Sequence, residues 1–205
     1  MQTDDMPAIP LWINGHAYLT LAPAFLDVRN PASGELLRRT PLCGAPAARQ
    51  AVAAAQAAVA AWAAQSAAAR VALLAALGQA LASYAAHFVR LIVEESGKEE
   101  ALAATEVADA VALLCSPPIG DASGVVAIVG SGAAPLLSSL RLAVPALTAG
   151  AALVIRPAPQ APSAIFALAE LSARCGFPGG VLNVLHGDDA AVDGLCSAGV
   201  RPVLA

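Results

Sequence analysis

Apolar positions change their rhythm twice along this chain. Up to about residue 44 they fall in short clusters separated by turn residues. Leu11-Trp12-Ile13 runs into Asn14-Gly15, a pair suited to a two-residue hairpin turn because both central positions of that turn need positive φ. A second extended segment, Phe25 to Val28, precedes Asn30-Pro31-Ala32-Ser33-Gly34, which is turn chemistry throughout. The pattern predicts a small β-meander over residues 1–44. From Ala45 to Leu114 the turn residues disappear. Leu74, Leu77, Leu81, Tyr84, Phe88 and Leu91 recur at steps of three and four, which predicts one apolar stripe on one long helix ending at a left-handed cap on Gly97. A further helix, Glu99 to Leu114, carries Leu102, Val107, Val111 and Leu114 and stops before Pro117-Pro118. Residues 45–119 therefore read as a helical segment.

After Gly120 the rhythm changes again. Val125 to Val129, Ala152 to Ile155, Val181 to Leu185 and Pro202 to Leu204 are short unbroken apolar runs. Helical stretches separate them: Pro135 to Leu147, Pro162 to Cys175, and Ala190 to Ala198. Unbroken apolar strands joined by helices are the mark of a parallel sheet covered on both faces. Residues 120–205 are thus an α/β portion, and the whole reads as an α/β chain with helices preceding its sheet.

Composition sharpens this picture. The chain has 205 residues, 58% hydrophobic but only 4% aromatic and 13% charged, with mean hydropathy +0.68. Alanine makes up about a quarter of it, far above ordinary usage. The longest charge-free stretch, Gln50 to Ala69, is built of small side chains and interrupted by Gln56, Gln65 and Ser66, so it reads as a tightly packing helix and not a membrane span. The acidic N-terminus lacks the basic and apolar regions of a secretory signal, which leads to the expectation of a cytoplasmic protein. Net charge is −4 and the basic residues are scattered, which argues against nucleic acid as a partner. Cys43, Cys115, Cys175 and Cys196 stand far apart without metal-ligand spacing, so no metal is expected and the thiols are expected to be reduced and mostly buried.

Candidate chemistry belongs in the loops beyond the carboxyl ends of the strands. Gly130-Ser131-Gly132-Ala133-Ala134-Pro135 approaches a glycine-rich phosphate loop but has proline in place of the third glycine, so a plain strand-to-helix turn stands beside the phosphate reading. Arg156 ends the next strand, where it would meet a ribose phosphate or simply solvent. After the third strand come His186-Gly187-Asp188-Asp189, with one aspartate expected to cap the following helix. His16, His87 and His186 have no carboxylate or cysteine partner at sequence spacing and read as structural, while Glu94, Glu95, Glu99 and Glu100 around Lys98 read as a solvated rim.

The order of these features resembles the N-terminal part of the aldehyde dehydrogenase superfamily. The residues that carry the likeness are Leu11 to Gly15, Asn30 to Glu35, Glu95-Ser96-Gly97-Lys98, Leu142 to Gly150 followed by Val154-Ile155-Arg156-Pro157, and Gly176 to Val184. The resemblance implies a Rossmann-like sheet and a crevice for NAD or NADP, with Gly130, Gly132, Arg156 and Gly187 as the contacts. It also implies that several parts of that crevice are altered. No asparagine stands between Gly130 and Pro135, where the family places its oxyanion donor. Arg156-Pro157-Ala158-Pro159 replaces the family's Lys-Pro-Ala-Glu, and Gly187-Asp188-Asp189 replaces a glycine pair. Members of that family are more than twice this length and carry the nucleophilic cysteine, in a glycine-glutamine-x-cysteine setting, and the general-base glutamate downstream of Ala205. None of the four cysteines here has that setting, so no catalytic residue is assigned and no cofactor is required. The expectation is a non-catalytic, aldehyde-dehydrogenase-like protein that acts through a protein partner or self-association. The alternatives are the cofactor-domain half of a split enzyme and a nucleotide-binding remnant.

Overall fold

A computed structural model describes residues 8–205. The strands are β1 (Leu11–Ile13), β2 (His16–Tyr18), β3 (Phe25–Arg29), β4 (Leu36–Pro41), β5 (Val125–Val129), β6 (Ala152–Arg156), β7 (Leu182–Val184) and β8 (Val203–Leu204). The helices are α1 (Ala45–Ala63), α2 (Ala67–Ser83), α3 (Ala85–Ser96), α4 (Glu100–Cys115), α5 (Leu137–Ala149), α6 (Ser163–Arg174) and α7 (Asp189–Ser197).

The four apolar runs of the second half form the expected parallel ladder, with β7, β6, β5 and β8 side by side. Every residue of β6 is buried. Leu153 and Ile155 point into the core under α2 to α6, while Ala152 and Val154 face α1 and α7. That alternation explains an apolar run with no polar positions. The alanines of α1 have a packing role: Ala47, Ala48, Ala51 and Ala55 are buried against this second face, and small side chains let the helix lie close to the sheet.

The N-terminal strands depart from the expected meander. Asn14 and Gly15 do form the turn, at φ 55 and 80, but the β1–β2 hairpin joins the main sheet, where β1 pairs antiparallel with β7 through Trp12 and Val184. The join is made by a buried asparagine. Asn183 accepts from the Asn14 amide at 3.0 Å and donates to the Leu153 and Gly180 carbonyls at 2.9 and 2.7 Å. β3 and β4 form a separate two-stranded ribbon.

The long helix expected through Tyr84 is also two helices, bent by 74°. The spacing of the stripe persists across the break, but Tyr84 leaves the helical region at φ −108 and ψ 17 and is half exposed. Ser83 donates to the Gln79 carbonyl at 3.0 Å, a local bond that competes with continuation of the helix. The bend lets α2 pack on α4 and α5 while α3 turns to meet α6. Gly97 caps α3 at φ 68, as expected. No single helix among the described residues is long and apolar enough to cross a membrane.

The carbonyls at the end of α5 are paired by the helices beside it. Trp62 Nε1 donates to the Leu147 carbonyl at 3.1 Å, and the buried Arg70 donates through Nε to Thr148 at 2.9 Å and through Nη1 to Ala63 at 3.2 Å. A cation at a helix C-terminus is favoured by the helix dipole, so Arg70 fastens the ends of α1 and α5 together. The thiols differ from expectation: Cys43 is buried and Cys175 half-buried, but Cys115 and Cys196 are exposed. Cys115 and Cys196 lie at the ends of α4 and α7, where the helices' outer faces meet solvent.

Candidate functional site at the carboxyl edge of the sheet

Three loops leave the carboxyl ends of β5, β6 and β7. The loop at Gly130 and the end of β6 are brought together directly, because the Gly130 amide donates to the Arg156 carbonyl at 2.8 Å. Each candidate glycine also has a reason within the protein itself. A Cβ on Gly130 would lie 2.9 Å from Ser139 Oγ and 3.3 Å from the Ala158 nitrogen. One on Gly132 would collide with Nε2 of Gln160, whose side chain lies over the loop. Gly187, at φ +135, packs against the Cys43 carbonyl and the Ala191 side chain. Close backbone approach is therefore used here for the protein's own packing.

Arg156 sits at the centre of the edge and is 8% exposed. Its Nη1 donates to the adjacent Pro157 carbonyl at 3.2 Å and its Nε has no partner among the described residues. Burial pushes its pKa down, and the carboxylates of Asp189 and Asp188 oppose that shift. Ser138 and Ser139, in the first turn of α5, likewise have buried hydroxyls without partners. The edge thus holds a buried cation and two hydroxyls with unused hydrogen-bonding capacity, beside glycines already packed from within.

His186 behaves as the expected structural histidine. Its Nε2 lies 3.1 Å from the Pro10 carbonyl, and burial pushes its pKa down to about 4. Asp188 caps α7 through the Ala190 amide at 3.0 Å. Burial also raises the Cys43 thiol to about 11 and moves Cys175 upward, which makes both poor nucleophiles. An apolar cavity of 440 Å3 opens nearby, between the chain at Leu21 to Ala24, Cys43 and Asp188.

The acidic rim is the main correction at this edge. Glu94 and Glu99 lie toward solvent, but Glu95 is 3% exposed and Glu106, which the sequence reading passed over, is 5% exposed. Glu95 accepts from the Ser163 amide at 3.0 Å and from its hydroxyl, at the start of α6, with Arg38 Nη1 3.3 Å away. Arg38 Nη2 also bonds Glu94 at 3.1 Å. Burial raises the Glu95 pKa, against the bonds from Ser163 and the charge of Arg38. Glu106 accepts from the Leu136 and Leu137 amides at 2.9 and 3.1 Å, at the start of α5, and pairs with Lys98. The signal for Glu106 lies in its spacing: it falls three and four residues from Ala103 and Ala110, on the buried stripe of α4.

The aldehyde dehydrogenase family model matches residues 20–116 and 119–201. Malonate-semialdehyde dehydrogenase of Pseudomonas aeruginosa is 34% identical over 194 residues, covering 84% of this chain and 39% of that enzyme. The NADP(+) succinate-semialdehyde dehydrogenase of Escherichia coli is 33% identical over 193 residues, with 82% and 39% covered. Among solved structures, the methylmalonate-semialdehyde dehydrogenase of Oceanimonas doudoroffii superposes with TM-score 0.87 at 25% identity, over 97% of this chain and 50% of that one. The chain spans about two fifths of the length of these curated relatives and matches their N-terminal part. By the family model and these relatives, the chain belongs to the aldehyde dehydrogenase family.

Proposed function

We propose that this chain acts as a structural or regulatory subunit of aldehyde-dehydrogenase type, working by association with another polypeptide and performing no oxidation with its own residues. The observation that carries this reading is the outer side of β8. Among the described residues the strand lies at the end of the six-stranded sheet, paired only with β5, and exposes Val203 at 46% and Leu204 at 78%. An apolar edge with free backbone donors and acceptors is a template for another strand. The chemistry of the thiols agrees with it, since Cys43 and Cys175 are held in the protonated form and no cysteine has the family's nucleophile setting. The setting proposed is the cytoplasm, where free cysteines stay reduced.

Sedimentation velocity over a range of concentrations, together with native copurification and mass spectrometry, tests the proposal. The expected result is a stable complex that Leu204→Lys abolishes while leaving the circular dichroism spectrum unchanged. A clean monomer at all concentrations, with no stoichiometric copurifying chain, would overturn it. If the partner brings a nucleophilic cysteine and a base glutamate, the assembly is a split dehydrogenase, and mixing the two gives aldehyde-dependent reduction of NAD or NADP.

A second reading rests on a different observation. The unpartnered Arg156 Nε and Ser139 hydroxyl beside Gly130 suit a weakly held nucleotide. Calorimetric titration with NAD, NADP and ADP checks it, and the absence of heat at high ligand concentration retires it.

A further inference from the structure

A helix begins with up to four amide groups that no intrahelical carbonyl accepts, and the aligned peptide dipoles add partial positive charge there. In nucleotide-binding sheets, such starts receive phosphate. Here the starts of α5 and α6 are already occupied. At α5, directly behind the Gly130 to Pro135 loop, Oε1 of Glu106 takes both the Leu136 and the Leu137 amides, and Oε2 takes the Lys98 ammonium. At α6, behind the 157–162 loop, Oε2 of Glu95 takes the Ser163 amide at 3.0 Å, and Oε1 takes the Ser163 hydroxyl with Arg38 beside it. Both carboxylates come from the helical layer outside the sheet, Glu95 from α3 and Glu106 from α4. Each is buried and each has its own cation. The Gly97 turn between those helices presents Lys98 to Glu106 eight residues on.

We propose that Glu106 and Glu95 are positioning residues that take the place of anionic ligands at the starts of α5 and α6, so that the chain's own carboxylates hold the Gly130 to Pro135 and 157–162 loops in shape without phosphate. The geometry at each helix is that of a bound oxyanion: two donors converge on one carboxyl group whose remaining charge is matched by lysine or arginine. An incoming phosphate would have to displace a tethered carboxylate and leave Lys98 or Arg38 to be paired anew. The glycine loop is therefore closed to phosphate at its helix, and the loop keeps its form with no nucleotide present. This holds whether or not a nucleotide meets Arg156, which is near the carboxylates of Asp188 and Asp189.

Small-anion rescue of Glu106→Ala in the full chain is the test. The variant is expected to melt about 10 °C lower, as removal of one partner from a buried pair costs several kcal/mol. Formate should restore part of that loss in Glu106→Ala and not in the wild-type protein, and should move the Leu136 and Leu137 amide resonances of the variant. Inorganic phosphate should leave the same two resonances of the wild-type protein in place. An unshifted melting temperature, formate effects equal in both proteins, or phosphate-induced movement of those amides in the wild type would each overturn the proposal. Should Glu106→Ala fail to fold, Glu106→Gln carries the test, since it keeps the volume but not the charge. Solvent exchange of the Leu136 and Leu137 amides should then rise about tenfold, as for loss of roughly 1.4 kcal/mol of protection, and unchanged exchange is the contrary result. A parallel NADP titration of the wild type followed at Arg156 reports on nucleotide binding separately.

Discussion

Single side chains govern how this protein should respond to pH. His186 is enclosed beside Phe166 and Pro10 and titrates in the fold at about 4, against 6.5 when free. Between those values the unfolded chain binds a proton that the folded chain does not, so stability is full above pH 6.5 and falls as the pH drops toward 4. The loss is on the order of 3 kcal/mol. Chemical denaturation of wild type and His186→Gln across that window checks it: the pH slope should flatten in the variant. Glu95 acts in the opposite sense, because its raised pKa makes its contribution decline as the pH rises above the ordinary carboxylate range. The sequence made part of this visible. His186 reads as structural for want of a carboxylate or cysteine partner at sequence spacing, and one of the two following aspartates as a helix cap; the cap is Asp188, whose donor is two residues away. The Glu95 and Glu106 partners lie 68 and 30 residues distant. A cluster of acids around a lysine looks the same in sequence whether it faces water or a helix start, and only the buried phase of Glu106 on α4 distinguishes it.

Elements were legible where their signals are local. Gly97 ends α3 because its left-handed conformation costs glycine little, and Pro117-Pro118 follows the end of α4. The break at Tyr84 was not legible, because the residues around it contain no proline or glycine and the apolar spacing runs straight through. What bends the chain is the placement of α4, α5 and α6, which α2 and α3 must cover between them. The crossing of α2 with α4 depends on Gly78. A Cβ there would lie 2.7 Å from Cys115 Sγ, 3.0 Å from Leu114 Cβ and 3.2 Å from the Cys115 nitrogen. Gly78→Ala gains about 1 kcal/mol of helix propensity, but overpacking of this kind costs about 1–3 kcal/mol. The expected net outcome is destabilisation by about 1 kcal/mol, measured by urea unfolding. Cys115→Ala should recover only part of it, since the Leu114 Cβ and the Cys115 backbone stay where they are.

For the whole molecule, alternation of strand and helix made the parallel half readable, since β5 and β6, and β6 and β7, are neighbours in sequence as well as in space, while β8 crosses over to pair with β5. The hairpin at β1 and β2 was readable as a hairpin but not as part of the sheet, because its place is fixed by Asn183 and Val184 near the other end of the chain. The outer edge of β8 bears the prediction that belongs at this scale. Val203→Lys combined with Leu204→Lys should leave the melting temperature within a few degrees while removing association seen by light scattering, as charged edge strands resist pairing. The same sheet sets an order on how the chain acquires its structure. Trp12 is paired across to Val184, so β1 cannot find its neighbour in the sheet until β7 has been made. Helices α2 to α4 and the β5–β6 pair can assemble from nearby residues meanwhile, whereas α1 packs on α7 and the sheet. Closure of the N-terminal hairpin onto β7 is then a late, long-range step, and until it happens the edge of β7 lies open to the wrong strand.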